Sequence, residues 1–266
     1  MNVTKRMPSF EGVAGGSTAT LRCPIGLSYH QLLISYSGVT LAQMSEIRVL
    51  GNGKAFMRFT SGTRLNAINL YHNRATASGI IVVDFIRNSL RTESGEMVTV
   101  LGTGAPSKDG SVELSTLAVE IDIAAAATAP ALSAKAIQSA PQNLGFIKHV
   151  REYGYNPAAV GEFEIADIPK GHLFSSVHFV SANMTALRVE RDGYIVFERN
   201  AAENTLIQSD GKYKVPQSGI FTFDPSEIGL GGNTLQTGDV FDLRFIATMS
   251  SAGALPVVVE SIAPLN

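Results

Sequence analysis

The sequence of 266 residues has no tryptophan and a single cysteine. One cysteine excludes any disulfide within the chain. Cys23 stands between Arg22 and the stretch "PIG", which suits a small buried filler better than a nucleophile. Charge of one sign is also lacking: 21 basic and 23 acidic residues leave a formal net charge of −2. The basic residues form only short groups, Lys5–Arg6 and Lys148 to Arg151, read as solvated surface charge. A nucleic-acid surface needs clustered Lys and Arg, so no direct nucleic-acid binding is expected. No run approaches the roughly 18 apolar residues of a membrane span. The N-terminal "MNVTKRMPSFEGVAGGS" has no apolar core of a secretory signal. The expectation is a soluble protein in a reducing cytosol or a compartment that needs no disulfides.

What the chain does have is apolar material, 45% against 17% charged residues. That composition describes globular cores rather than disorder. At this length two domains are the default. Alternation with a period of two dominates. In "LAVEIDI" Leu117, Val119, Ile121 and Ile123 share one face, and in "VFDLRFIATM" Phe241, Leu243, Phe245, Ala247 and Met249 do. "IIVVDF" and "LPVVVESI" are β-branched runs suited to central strands. Between the runs stand the turn signals "GNG", "SKDG", "RDG", "SDG" and "GLGGN". The pattern suggests an all-β fold of sandwich or jelly-roll type. Short helices fall in connections: "TLAQMSEI" behind Thr40, "TRLNAINLYH", "NAAENTLIQ" behind Asn200, and "DPSE" with Pro225 at a first helical position.

The chain repeats itself. "IRVLGNGKAFMRF" (47–59) returns as "LRVERDGYIVFER" (187–199), with Arg48, Val49 and Gly53 meeting Arg188, Val189 and Gly193. At the same offset "GIIVVDF" (79–85) falls on "GIFTFDP" (219–225), and Asp84 meets Asp224. Further out the offset drifts, as loops gain or lose residues. "CPIG" (23–26) is similar to "IPKG" (168–171), and "LAVEIDI" (117–123) to "PVVVESI" (256–262). The organisation read from this is a first module over 1–126 with an N-terminal arm, an ordered connector over 127–143, and a second module over 144–266. The connector has a helix-competent centre between Pro130 and Pro141.

Reactive chemistry finds little support. His30, His72, His149, His172 and His178 show neither His-x-His nor His-Glu-x-x-His spacing, and isolated surface histidines are expected. His172 and His178 straddle a strand and give a weak metal hint. "GNGKAF" has Arg48 where a phosphate loop needs its earlier glycine, and "GTGAPS" lacks the third glycine of a dinucleotide fingerprint. Glu120, Asp122, Glu162 and Glu164 have a spacing that fits a glycosidase-like cleft, but are read as the wet face of a sheet. No catalytic, cofactor-binding or metal residue is assigned. A structural Ca²⁺ on surface carboxylates stays open, with no ligands named.

The segment "CPIGLSYHQLLISYSGVTLAQMSEIRV" (23–49) resembles a stretch of the corticovirus-type major capsid proteins. The shared features are Pro24-Ile25-Gly26, Tyr29, the run Tyr36 to Thr40, Gln43 and Arg48-Val49. "PALSAKA" (130–136) and "EIADIP" (164–169) are similar as well. The resemblance implies a double jelly roll: two tandem eight-stranded antiparallel sandwiches, assembled as a homotrimer. It implies a structural coat protein without catalytic residues, in a tailless icosahedral double-stranded DNA phage with an internal membrane. Its partners would be itself, neighbouring capsomers, and vertex and membrane-associated virion proteins. It would be made in the host cytoplasm and reside in the virion. Two rival readings are a carbohydrate-binding β-sandwich or spike module, disfavoured by the missing tryptophan, and a cupin-like metalloenzyme, disfavoured by the histidine spacing.

Overall fold

A computed structural model of the chain describes residues 2–104 and 113–265. The "SKDG" turn and the end of "GTGAPS" lie outside the described residues. The chain divides into two compact units. Unit 1 is Met1–Arg151 with Ala263–Asn266, and unit 2 is Glu152–Ile262.

Unit 1 contains β1 (Val3–Arg6), β2 (Thr18–Cys23), β3 (Ser28–Ser37), β4 (Met44–Gly51), β5 (Lys54–Phe59), β6 (Ile80–Asp84), β7 (Leu117–Ile123) and β8 (Ala131–Ser139). They form two four-stranded arrays, β1-β8-β3-β6 and β5-β4-β7-β2. Sequence neighbours mostly lie in opposite sheets, which is the wrapping of a jelly roll. In unit 2 the strands are β9 (Ile147–Tyr155, beginning in unit 1), β10 (Gly161–Ile165), β11 (Leu173–Val180), β12 (Met184–Arg191), β13 (Tyr194–Asn200), β14 (Ile220–Phe223), β15 (Leu235–Gln236), β16 (Leu243–Met249) and β17 (Leu255–Ala263). Their orders are β14-β11-β17-β9 and β10-β16-β12-β13, with β15 added beside β11. If β15 is set aside, both units follow one rule: first-eighth-third-sixth in one sheet, second-seventh-fourth-fifth in the other. The fold is the all-β double jelly roll.

Alternation sets which side chains point inward. In β7 Leu117, Val119, Ile121 and Ile123 are buried as the pattern predicts. In unit 2 one core receives Phe174, Val177, Phe179 and Phe223 from one sheet and Leu187, Val189 and Phe245 from the other. Phe245 meets Phe179 and Phe223 with ring centroids 5.8 and 6.2 Å apart. Phe241 departs from the predicted inward set and is 94% exposed. It precedes β16, and the Asp192 carboxylate holds the amides of Phe241 and Asp242 in a turn at 2.9 Å each.

Three expectations are corrected. Residues 131–139 of the expected connector form β8, the eighth strand of unit 1, paired with β1 and β3. Alanine favours helices in isolation, but Ala134 and Ala136 lie at buried strand positions, where pairing and packing override propensity. Second, "LAVEIDI" and "PVVVESI" are not counterparts. By topology β7 corresponds to β16, and β17 to β8. Both runs are apolar and β-branched, which is common to all central strands. Third, two helix signals serve other structures. Thr40 and Gln43 do close a capping box, but on a 3₁₀ turn at Leu41–Gln43. "DPSE" makes turns in which the Asp224 carboxylate accepts from the Ser226 amide. α1 (Gly62–Tyr71, capped by Ser61) and α3 (Ala201–Asp210, capped by Asn200 with Glu203) form where expected. A short α2 (Glu93–Met97) was not foreseen.

Candidate functional site

The histidines are not the isolated surface residues that their spacing suggested. His30, His149 and His178 are buried. Burial pushes the His30 pKa down from its usual value, partly offset by Glu93. His149 Nε2 lies 3.1 Å from the Pro264 carbonyl, within unit 1. His172 Nδ1 lies 3.0 Å from Ser261 Oγ, whereas His178 has other partners on β14 and β17. A register shift in β11 between Phe174 and Ser176 separates the two histidines that a regular strand would align.

Ser176, His178 and Glu260 are the one grouping in unit 2 that resembles hydrolytic chemistry, and the sequence offered no motif for it. Ser176 Oγ donates to Glu260 Oε2 at 2.6 Å and lies 3.1 Å from His178 Nε2. His178 Nε2 is 3.1 Å from the same carboxylate oxygen, and Nδ1 is 3.0 Å from Thr222 Oγ1. A nucleophilic triad needs the acid and the serine on opposite imidazole nitrogens. Here both meet Nε2, and serine donates directly to the acid. The His178 and Glu260 side chains are 1% exposed, so a substrate has no approach. These groups lie on the face of β11 opposite Val177 and Phe179, where Ser176 and His178 both engage Glu260 Oε2.

The carboxylates weighed as a cleft are held by arginines. Arg48 donates to Glu120 at 3.0 Å, to Asp122 at 2.8 and 3.0 Å, and to Glu46. β4–β7 pairing puts Arg48 opposite Glu120, and Glu46 opposite Asp122, so the cluster is cross-strand. Burial pushes the Asp122 carboxyl up, but hydrogen bonds from Arg48 and Thr18 outweigh this and hold it below its usual pKa. In unit 2 Arg188 meets Glu162 at 3.2 Å and Arg244 meets Glu164 at 3.5 Å. Cys23 is buried, and desolvation pushes its thiol up to about 12, which leaves it unreactive.

What stands out is a set of pins made twice. Thr103 Oγ1 accepts the Gly26 amide at 2.8 Å and donates to the Leu27 carbonyl at 2.6 Å. Thr237 does the same for Gly171 at 2.9 Å and His172 at 2.6 Å. This supports the match of "CPIG" with "IPKG". The hairpin turns hold Asn52-Gly53 and Asp192-Gly193 at positive φ, 52° and 79°, then 49° and 81°. Asn52 Oδ1 accepts the amides of Ser115 and Thr116 at 2.8 and 3.2 Å, as Asp192 does those of Phe241 and Asp242. "GNGKAF" is thus a latch onto the residues just before β7. Arg74 grips Asp84 at 2.7 and 2.9 Å, and Lys214 pairs with Asp224 at 3.4 Å. Both cations and both acids are 140 apart. Finally, Asn69 pins the Val82 carbonyl at 2.7 Å, and Asn204 and Gln208 pin that of Thr222 at 2.8 and 2.9 Å. Each helix is thereby fixed to the sixth strand of its own unit.

Known proteins are similar to this chain in sequence and fold. A family model described as the viral coat protein P2 N-terminal domain matches residues 4–140, and one described as the P2 C-terminal domain matches 147–265. Major capsid protein P2 of Pseudoalteromonas phage PM2 is 28% identical over 221 residues, covering 81% of this chain and 77% of that protein. The crystal structure of major capsid protein P2 from bacteriophage PM2 matches with a TM-score of 0.92 at 24% identity, over 100% of this chain and 98% of that one. A chain from the atomic structure of Sulfolobus turreted icosahedral virus matches with a TM-score of 0.69 at 12% identity, over 99% and 91%. These two structural likenesses bear on the fold. With both domain models matched in order and each half folded as its own jelly roll, the chain belongs to the viral coat protein P2 family, and its role is that of a structural, non-enzymatic component of the virion capsid.

Proposed function

We propose that three copies of the chain form a capsomer of nearly hexagonal outline, that such capsomers tile the facets of an icosahedral shell, and that the shell encloses an internal membrane. The observation that carries this reading is the repetition of one strand order in two units of one chain. A threefold axis acting on two similar lobes generates six. Covalent linkage of the lobes reduces the orientational freedom lost on assembly. Vertex and membrane-associated virion proteins are the further partners of this reading. Contact with nucleic acid is not part of it, in keeping with the net charge of −2. The reading includes no cofactor; of the carboxylates weighed for a cleft, Glu120 and Asp122 are engaged by Arg48.

Light scattering on the purified protein tests the trimer. Three copies of 28.2 kDa give about 85 kDa, and particles of that mass should show threefold symmetry by electron microscopy. A monodisperse 28.2 kDa species at virion-like concentrations would overturn the reading.

A further inference from the structure

β13 is the outer strand of the array β10-β16-β12-β13. Its first residues are apolar and open to solvent on both faces: Tyr194, Ile195 and Val196 are 77%, 56% and 48% exposed. An exposed apolar edge strand presents backbone donors and acceptors ready to pair with another chain. In its counterpart β5 the equivalents of Tyr194 and Ile195 are an exposed Lys54 and a half-buried Ala55, whereas Phe56, at the place of Val196, is 2% exposed and Met57 beside it 1%. Residues Ile147–Arg151, which belong to unit 1, account for the difference. They run parallel beside β5, with Met57 opposite Val150. In unit 2 no strand among the described residues does this for β13.

The segment that covers β5 begins β9, the first of the second set of eight strands. The first of the other set is β1, itself an outer strand in β1-β8-β3-β6, with Thr4, Lys5 and Arg6 exposed. We infer that β1 of a second copy lies parallel beside β13, repeating between chains what the start of β9 does beside β5 within one chain. Charge agrees: Lys5 and Arg6 on β1 face an edge that carries exposed Glu198. The contact is heterologous, β13 of one copy to β1 of the next, and three such contacts close a ring. The inference rests on the trimer proposed above and assigns its contact surface.

The test combines a variant and a crosslink. Tyr194→Lys with Val196→Lys changes only exposed positions, so circular dichroism and the melting curve should stay as in the wild type. The particle mass should fall from about 85 kDa to 28.2 kDa, the mass of one copy. Zero-length carbodiimide coupling of mixed ¹⁵N-labelled and unlabelled wild-type protein should join the Lys5 peptide of one chain to the Glu198 peptide of another. A wild-type trimer whose double variant is also trimeric, or crosslinks tying β13 to a segment other than β1, would refute this pairing and leave the trimer standing. A monomeric wild type would remove the trimer itself.

Discussion

Replacing Thr237 by Val takes away one hydroxyl and little of its shape. Thr237 is fully buried, and that hydroxyl serves both the Gly171 amide and the His172 carbonyl. Both would be left without this partner, so Thr237→Val should lower stability by about 1–3 kcal/mol in chemical denaturation. Asp122 gives a pH signature. Its pKa in the folded protein is held below the ordinary aspartate value, so its contribution is complete above that ordinary value and is lost as pH falls through the folded pKa. Melting temperature measured against pH should therefore drop more steeply below about pH 4 for the wild type than for Asp122→Asn. Neither role was legible beforehand. The sequence marks Thr103 and Thr237 as unremarkable loop residues. Asp122 was read as wet-face charge, which its partial exposure supports, but its partner Arg48 lies 74 residues away.

At the scale of elements, turns and strands carry their own chemistry. Asn-Gly and Asp-Gly announce hairpins because both central residues need positive φ. Alternation places most inward side chains correctly. Gly38 shows where local reading stops. It follows β3 at φ +67°, and an added Cβ would stand 2.3 Å from the Ala129 carbonyl oxygen. Gly38→Ala should cost about 2–4 kcal/mol by thermal or urea unfolding, from the left-handed conformation and from displaced backbone. Gly53, also at positive φ but with open space around it, should tolerate the change better. The approach of residues 128–129 to Gly38 arises because the next segment, β8, pairs along the whole of β3. The alanine-rich composition of that segment concealed its strand.

At the scale of the whole molecule, the last residues return to the first unit. Ala263–Asn266 belong to unit 1, where Leu265 is 7% exposed and its methyls lie near Gly51. Leu265→Ala should destabilise unit 1 by about 2–5 kcal/mol. Hydrogen exchange should report this as faster exchange in β4 and β5, with β11 and β14 less affected. A boundary drawn from composition placed these residues in the second module, because strand runs say where a chain is extended and not which core it reaches.

The sequence by itself determined the all-β class, the period-two strands, the hairpin turns and the duplication at an offset of 140. Each depends on residues near in sequence or on direct comparison of two stretches. Only the tertiary structure decided that residues 131–139 complete a sandwich, that β7 answers to β16, and that paired threonines and salt bridges pin both units alike. Those outcomes depend on contacts between distant segments, where burial and pairing outweigh local preference.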